Sequence, residues 1–292
     1  MLDNRTQPVT ASALANMDES RFLNACKLRD EGKYTEASHE FLQLAESEAD
    51  PLDKAGALLY AANALEISGQ LEAATSKLSE AQALVEGYPH PAASEKFDAV
   101  ELFLDYQVAS LLWLRGGNAE AALSKFEAAT KKHDLETSRK GENLTGKDAY
   151  LRDFHESIQM RRAFILADLG RWKEAFPILK GIESPREYKE GVAFYLGHCY
   201  VSAAEYSKAK PYLIEALNLG LPPRLEYRAH FELGIVYMAQ RGFARAKIEF
   251  EKTLQTADAD YLKGSSICKR LEICCRQLGL QAEAEQYAQM KK

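Results

Sequence analysis

No stretch of this 292-residue chain approaches the ~18 uninterrupted apolar residues that a membrane-spanning helix needs. Five cysteines are too few for a disulfide framework at this length and suit a reducing cytosol. Nine prolines and 17 glycines leave room for long, unbroken helices. The opening residues, MLDNRTQPVTASALANMDES, have no apolar core behind a basic head, so no secretory leader is expected and the expected location is cytoplasmic. A net charge of -6 is the wrong sign for a nucleic-acid ligand, which calls for a concentrated basic face. What is present is ordinary globular material, 46% hydrophobic, 27% charged and 10% aromatic.

The charge is unevenly spread. Residues 1–130 carry 10 Lys+Arg against 21 Asp+Glu, a net of -11, and the remainder carry 27 against 22, a net of +5. Most of this is expected to be solvated helix face. Opposed halves also permit head-to-tail self-association, which should weaken with salt.

Repetition organises the chain. GVAFYLGHCYVSAAEYSKAKPYLIEAL (191–217) and RAHFELGIVYMAQRGFARAKIEFEKTL (228–254) align at one offset of 37 residues. The first places Leu196, Gly197, Tyr200, Tyr206 and Ala209 where the second has Leu233, Gly234, Tyr237, Phe243 and Ala246. Apolar residues recur three and four apart, as in Phe194, Gly197, Tyr200 and Val201, so each unit reads as two amphipathic helices. Mid-helix glycine costs up to ~1 kcal/mol relative to alanine, which implies close helix approach at Gly197 and Gly234. Turn-then-alanine marks recur at Ala37, Ala74, Ala122, Ala175 and Ala284. Together they define units near 18–50, 55–87, 103–133, 156–184, 190–221, 227–258 and 265–290, with insertions at 87–96 and 131–150. Residues 1–17 hold little that could pack and are expected to be a disordered tail.

The pattern resembles the tetratricopeptide (TPR) repeat, whose 34-residue helix-turn-helix unit carries Leu-Gly, a Tyr three residues on, and spaced Ala and Phe. Leu196-Gly197, Tyr200 and Ala209 match it, as do Leu233-Gly234, Tyr237, Ala246 and Phe250, with Pro51, Pro89 and Pro222 near unit ends. The fourth and seventh units depart from it, with Arg162-Ala163 and Leu271-Glu272 at the Leu-Gly place. The resemblance implies an all-α fold, a right-handed superhelix of helix-turn-helix repeats whose first helices line a concave groove for peptides. Projected onto this chain, the inner wall would present Met160, Phe164, Phe194, His198, Phe231, Ile235 and Met238, with Arg228 as a polar anchor. The chaperone-binding subtype, which holds a C-terminal carboxylate, is not expected. Leu59 stands where that subtype has its lysine, Leu104 and Val108 replace other polar positions, and later units offer Phe194, His198 and Glu232.

Other motifs fail on chemistry. GENLTGKD (141–148) nearly spells a phosphate-binding loop, but Asp148 replaces the hydroxyl that binds magnesium. HEFLQ (39–43) and HESIQ (155–159) lack the second histidine of a zinc helix. Cys268, Cys274 and Cys275 have no metal-ligand spacing, and Cys268 and Cys275 share one face as small core residues. The expected function is therefore a non-enzymatic scaffold or adaptor for a protein or peptide partner. It needs no cofactor, metal, nucleic acid or membrane. The alternatives are a regulatory or sensor module in which a ligand changes superhelical curvature, an enzyme-like protein whose site lies at the 131–150 insertion, and a self-assembling solenoid.

Overall fold

In the computed structural model the apolar spacing closes into helices that each turn one face to a neighbour. The structure describes residues 18–89, 95–115, 118–140, 149–182, 188–257, 259–264 and 266–290, and no strand occurs among them. The chain divides into two units, Met1–Ile165 and Leu166–Lys292. The first holds α1 (Glu19–Asp30), α2 (Tyr34–Ser47), α3 (Pro51–Ile67), α4 (Leu71–Glu86), α5 (Glu95–Leu114), α6 (Ala119–Lys140) and most of α7 (Ala149–Asp168). The second holds α8 (Trp172–Gly181), α9 (Lys189–Ser202), α10 (Tyr206–Leu219), α11 (Pro223–Ala239), α12 (Phe243–Thr256), the short α13 (Ala259–Gly264), α14 (Ile267–Gln277) and α15 (Gln281–Gln289). Consecutive helices pack as pairs: α1 on α2, α3 on α4 and α5 on α6, then α9 on α10, α11 on α12 and α14 on α15. The all-α, repeat-built fold class is the one expected.

Six of the turns between successive helices share a common hydrogen-bond scheme. In the α3–α4 turn the Gln70 amide donates to the Leu65 carbonyl and the Gly69 amide to the Glu66 carbonyl, closing the helix end in a Schellman motif. The same six-residue bond recurs from Lys33, Arg171, Glu205, Gly242 and Leu280. That closure places one residue in the left-handed region. Glycine fills it at positions 32, 69, 170 and 279, but Ala204 (φ 58°) and Arg241 (φ 59°) fill it in two turns of the second unit. An L side chain there costs about 1–2 kcal/mol that glycine avoids, less the extra freedom glycine loses on folding. Ala204→Gly and Arg241→Gly are each expected to stabilise the second unit by roughly 0.5–1 kcal/mol. Urea melts with unchanged slope check this, and an unchanged or lower midpoint would refute it.

The helix after each turn opens in the same way. Ala37, Ala74, Ala122, Ala175, Ala209, Ala246 and Ala284 are all the fourth residue of their helix, and each amide donates to the residue just before the helix. All seven are at most 1% exposed. Twelve residues before each alanine lies a second small position, occupied by Ala25, Ala62, Ser110, Ala163, Gly197 and Gly234, all buried; only the last unit breaks the rule, with half-buried Glu272. Four residues after the first six of these alanines comes a large apolar side chain, Phe41, Leu78, Phe126, Leu179, Leu213 and Phe250, again all buried, and the last unit has the small, half-buried Ala288 there. The two glycines show why. A Cβ on Gly197 would lie 2.7 Å from Leu213 Cγ, and one on Gly234 would strike the Phe250 ring. Small against large is thus the packing rule of the repeat, as expected at the two glycines.

Aromatic rings extend this core through the first unit. Tyr60, fully buried on α3, packs on Phe22 (5.0 Å between centroids), Phe41 (5.2 Å) and Phe103 (5.2 Å), joining α1, α2 and α5. Of the three cysteines on α14, Cys274 and Cys275 are the buried ones and Cys268 is half-buried. Residues 90–94 and 141–148 of the insertions lie outside the described residues, as does the tail 1–17, so the GENLTGKD stretch does too. The described part of the second insertion is helical, α6 continuing to Lys140 and α7 starting at Ala149.

Candidate functional site

In the second unit the first helices of successive pairs, α9, α11 and α14, bring a row of polar and aromatic side chains together. Arg228 on α11 is its centre. Its guanidinium lies 5.1 Å from the Phe194 ring centre and 5.8 Å from that of Tyr195, both on α9. Arg228 Nη2 donates to Asp168 Oδ1 at 2.7 Å, and the Tyr195 hydroxyl donates to Asp168 Oδ2 at 3.1 Å. Burial works against the guanidinium charge, but Tyr195, Asp168 and Glu232 outweigh it and the proton is held more tightly than usual. Burial and the Asp168 charge push the Tyr195 hydroxyl upward, so it stays a donor.

One turn along, His198 Nδ1 donates to Glu232 Oε1 in a charge-assisted bond. Burial pushes the imidazole down, yet the Glu232 charge and hydrogen bond, aided by Asp168, carry it above its ordinary value against Arg228. The other carboxylate oxygen of Glu232, Oε2, is buried without a hydrogen-bond partner. Beyond lies Phe231, packed on Phe250 (5.6 Å) and Tyr261 (6.0 Å), with the Arg270 guanidinium 5.3 Å from its ring centre. An arginine one first helix on therefore covers an aromatic twice in this unit. The first unit has the same arrangement on α5 and α7, where Arg161 lies 5.9 Å from the Trp113 ring centre.

No family model and no curated protein matches this chain. Solved structures do. The apo form of RapI matches with a TM-score of 0.54 at 13% identity, over 93% of this chain and 94% of that one. The apo quorum sensor NprR from B. thuringiensis gives 0.52 at 12% identity, over 93% and 85%. Pseudomonas aeruginosa PilF gives 0.51 at 13%, over 82% and 91%. The fold is TPR-like. At these identities the likeness is one of fold alone.

The TPR-like frame distributes the eight side chains expected on the inner wall unevenly. Phe194, His198 and Arg228 come together, with Phe194 fully buried beneath the other two and the His198 and Arg228 side chains 21% and 18% exposed. Phe231, Ile235 and Met238 are half-buried along α11 and also pack on the core of Phe250, Ile267 and Leu271. Met160 and Phe164 lie in the first unit, 1% and 4% exposed, and offer almost no surface. The sequence passed over Asp168, Tyr195 and Arg270. Asp168 and Arg228 are sixty residues apart, so no local spacing could have paired them. Among the described residues no group of His, Cys, Asp and Glu is arranged to hold a metal ion. No helix among them is long and apolar enough to cross a membrane.

Proposed function

We propose that this TPR-like chain is a protein-interaction scaffold or adaptor. Its second unit would hold a peptide segment of a partner against His198, Arg228, Phe231, Ile235 and Met238. The observation that carries the reading is the fixation of Arg228. Asp168 and two aromatic rings hold a polar anchor in place beside half-buried apolar side chains, so binding need not order it. Phe231, Ile235 and Met238 supply adaptable apolar surface of the kind that grips peptide side chains. The mechanism is equilibrium binding, with affinity on the order of micromolar for a short segment. No bond is made or broken, and cytoplasmic residence fits the reduced cysteines. In the rival reading a ligand changes the packing of the repeats. NprR, which shares the fold, is a quorum sensor.

The test is affinity capture from host lysate with mass spectrometry, comparing wild type with Ile235→Glu/Met238→Glu. Phe194 is unsuitable because a charge in its buried place would unfold the unit. Circular dichroism and thermal melts must first match. Partners lost only from the double variant support the wall on α11, and partners retained unchanged would sink it. Small-molecule ligands that shift the melting temperature of wild type would favour the sensor reading.

A further inference from the structure

A second feature of this unit lies at the turn end of the repeats. Helix N-termini favour acidic side chains, because the backbone dipole places partial positive charge there. The helices that follow the turns obey this at Glu36, Glu72, Glu120, Glu174 and Glu283, all in first turns. Helices α10 and α12 do not: neither has an acidic residue in its first turn. Instead the key alanine is flanked by cations on both sides, Lys208-Ala209-Lys210 and Arg245-Ala246-Lys247, in the same frame 37 residues apart. No other unit flanks its alanine so.

Two of the four are neutralised. Lys208 pairs with Glu205 at 2.5 Å, and Lys247 bridges Glu251 (2.9 Å) and Glu283 (2.8 Å). The other two converge. Lys210 Nζ from α10 lies 5.0 Å from the ring centre of Tyr237 on α11, and the Arg245 guanidinium from α12 lies 5.9 Å from the same centre. Among the described residues neither has an acidic partner. Tyr237 and Lys210 are half-buried and Arg245 is exposed. Two like charges drawn onto one ring, with Arg245 in the first turn of α12 and Lys210 just past that of α10, is a local cost that the repeat avoids elsewhere. Such departures mark functional surfaces.

We propose that the Lys210–Tyr237–Arg245 edge docks an acidic segment of a partner protein, its carboxylates meeting the two cations and its chain lying across the ring. Charge complementarity selects this occupant. Two cations on one ring make a short basic patch, enough for a brief run of carboxylates and smaller than the concentrated basic face that nucleic acid calls for. The edge is separate from the α11 wall proposed above and does not depend on it.

The probe is a fluorescein-labelled octaglutamate peptide read by fluorescence anisotropy on the full chain. Wild type should bind it, more weakly as salt rises from 50 to 300 mM. Lys210→Glu/Arg245→Glu should weaken binding at least tenfold, while Lys252→Glu/Lys269→Glu, of the same net charge, should leave it within twofold. The double reversal removes two like charges from one ring and places a carboxylate in the first turn of α12, so its melting temperature should hold or rise, which separates lost binding from lost folding. No binding by wild type, or equal loss in both doubles, would overturn the proposal. So would a fifteen-residue oligothymidylate that binds more tightly at this edge, because the partner would then be nucleic acid. Sedimentation showing a low-salt oligomer abolished by the first double would overturn it in favour of a second copy of this chain.

Discussion

Arg161→Met is expected to destabilise the first unit by about 3–5 kcal/mol at pH 8, the usual cost of leaving one member of a buried ion pair alone. Arg161 on α7 and Glu66 on α3 are joined by a 3.3 Å bond from Arg161 Nη2 to Glu66 Oε1, with side chains only 7% and 2% exposed. Burial pushes the Glu66 carboxyl above the usual range, and the Arg161 charge opposes that. Methionine keeps most of the arginine's apolar volume but removes the opposing charge, so burial alone then acts on Glu66 and raises it further. A carboxyl raised in the folded state is tolerated when protonated. Its stability is intact below the ordinary value near ~4.3 and is lost as pH climbs through the shifted one. The deficit of Arg161→Met should therefore be smallest near pH 4 and largest at pH 8. Glu66→Leu/Arg161→Met should regain most of it, because an apolar pair of similar volume needs no desolvation of charge. Trp113 supplies the signal: it sits against Arg161 and Phe164, and with Trp172→Phe it is the sole tryptophan. Urea melts showing a loss below about 1 kcal/mol at pH 8, or a double variant no better than the single, would refute the account.

This pair also shows where sequence reasoning stops. The helix pairs, the key alanines and the close approach at Gly197 and Gly234 were legible because repetition multiplies a weak local signal. One alanine four residues into a helix says little, whereas seven in one frame with tight turns before them say much. The first three units are recognisable mainly by their second helices, although Ala25, Ala62 and Ser110 hold the same small position as the glycines. Alanine carries no helix cost and serine only about half that of glycine, so neither stands out as the glycines do. The polar contacts of the candidate wall were not legible at all. Arg228 could be placed on an inner face by period, but three helices separate it from its partner Asp168, and Glu66 and Arg161 are ninety-five residues apart. Period alone also cannot separate a wall residue from the packing beneath it. Phe194 and Met160 satisfy the same spacing as His198 and Met238 yet are buried, because one face of a first helix is shared between solvent and neighbour.

The packing rule makes its sharpest claim at Gly234. Gly234→Ala would ordinarily help a helix by up to ~1 kcal/mol. Here the new methyl group meets three atoms of the Phe250 ring, Cδ1 and Cζ at 2.6 and 2.7 Å and Cε1 closer still. The ring cannot step aside: it is fully buried, with Phe231 on it at 5.6 Å and Ile267, Leu271 and Cys274 in the same core cluster. Overpacking of this kind costs about 1–3 kcal/mol and sometimes more, so it outweighs the helical gain and leaves a net loss of roughly 1–2 kcal/mol. The rest of the chain suggests the cure. In the second pair Ala62 occupies the equivalent place and Leu78 the place of Phe250, and alanine is accommodated there. Phe250→Leu alone should be destabilising, since it empties part of a tight core. Combined with Gly234→Ala it recreates the alanine–leucine pairing, and the two losses should fall short of their sum by at least about 1 kcal/mol. A double-mutant cycle in urea decides the matter: additive losses would mean that Gly234 is kept for some reason other than the ring of Phe250.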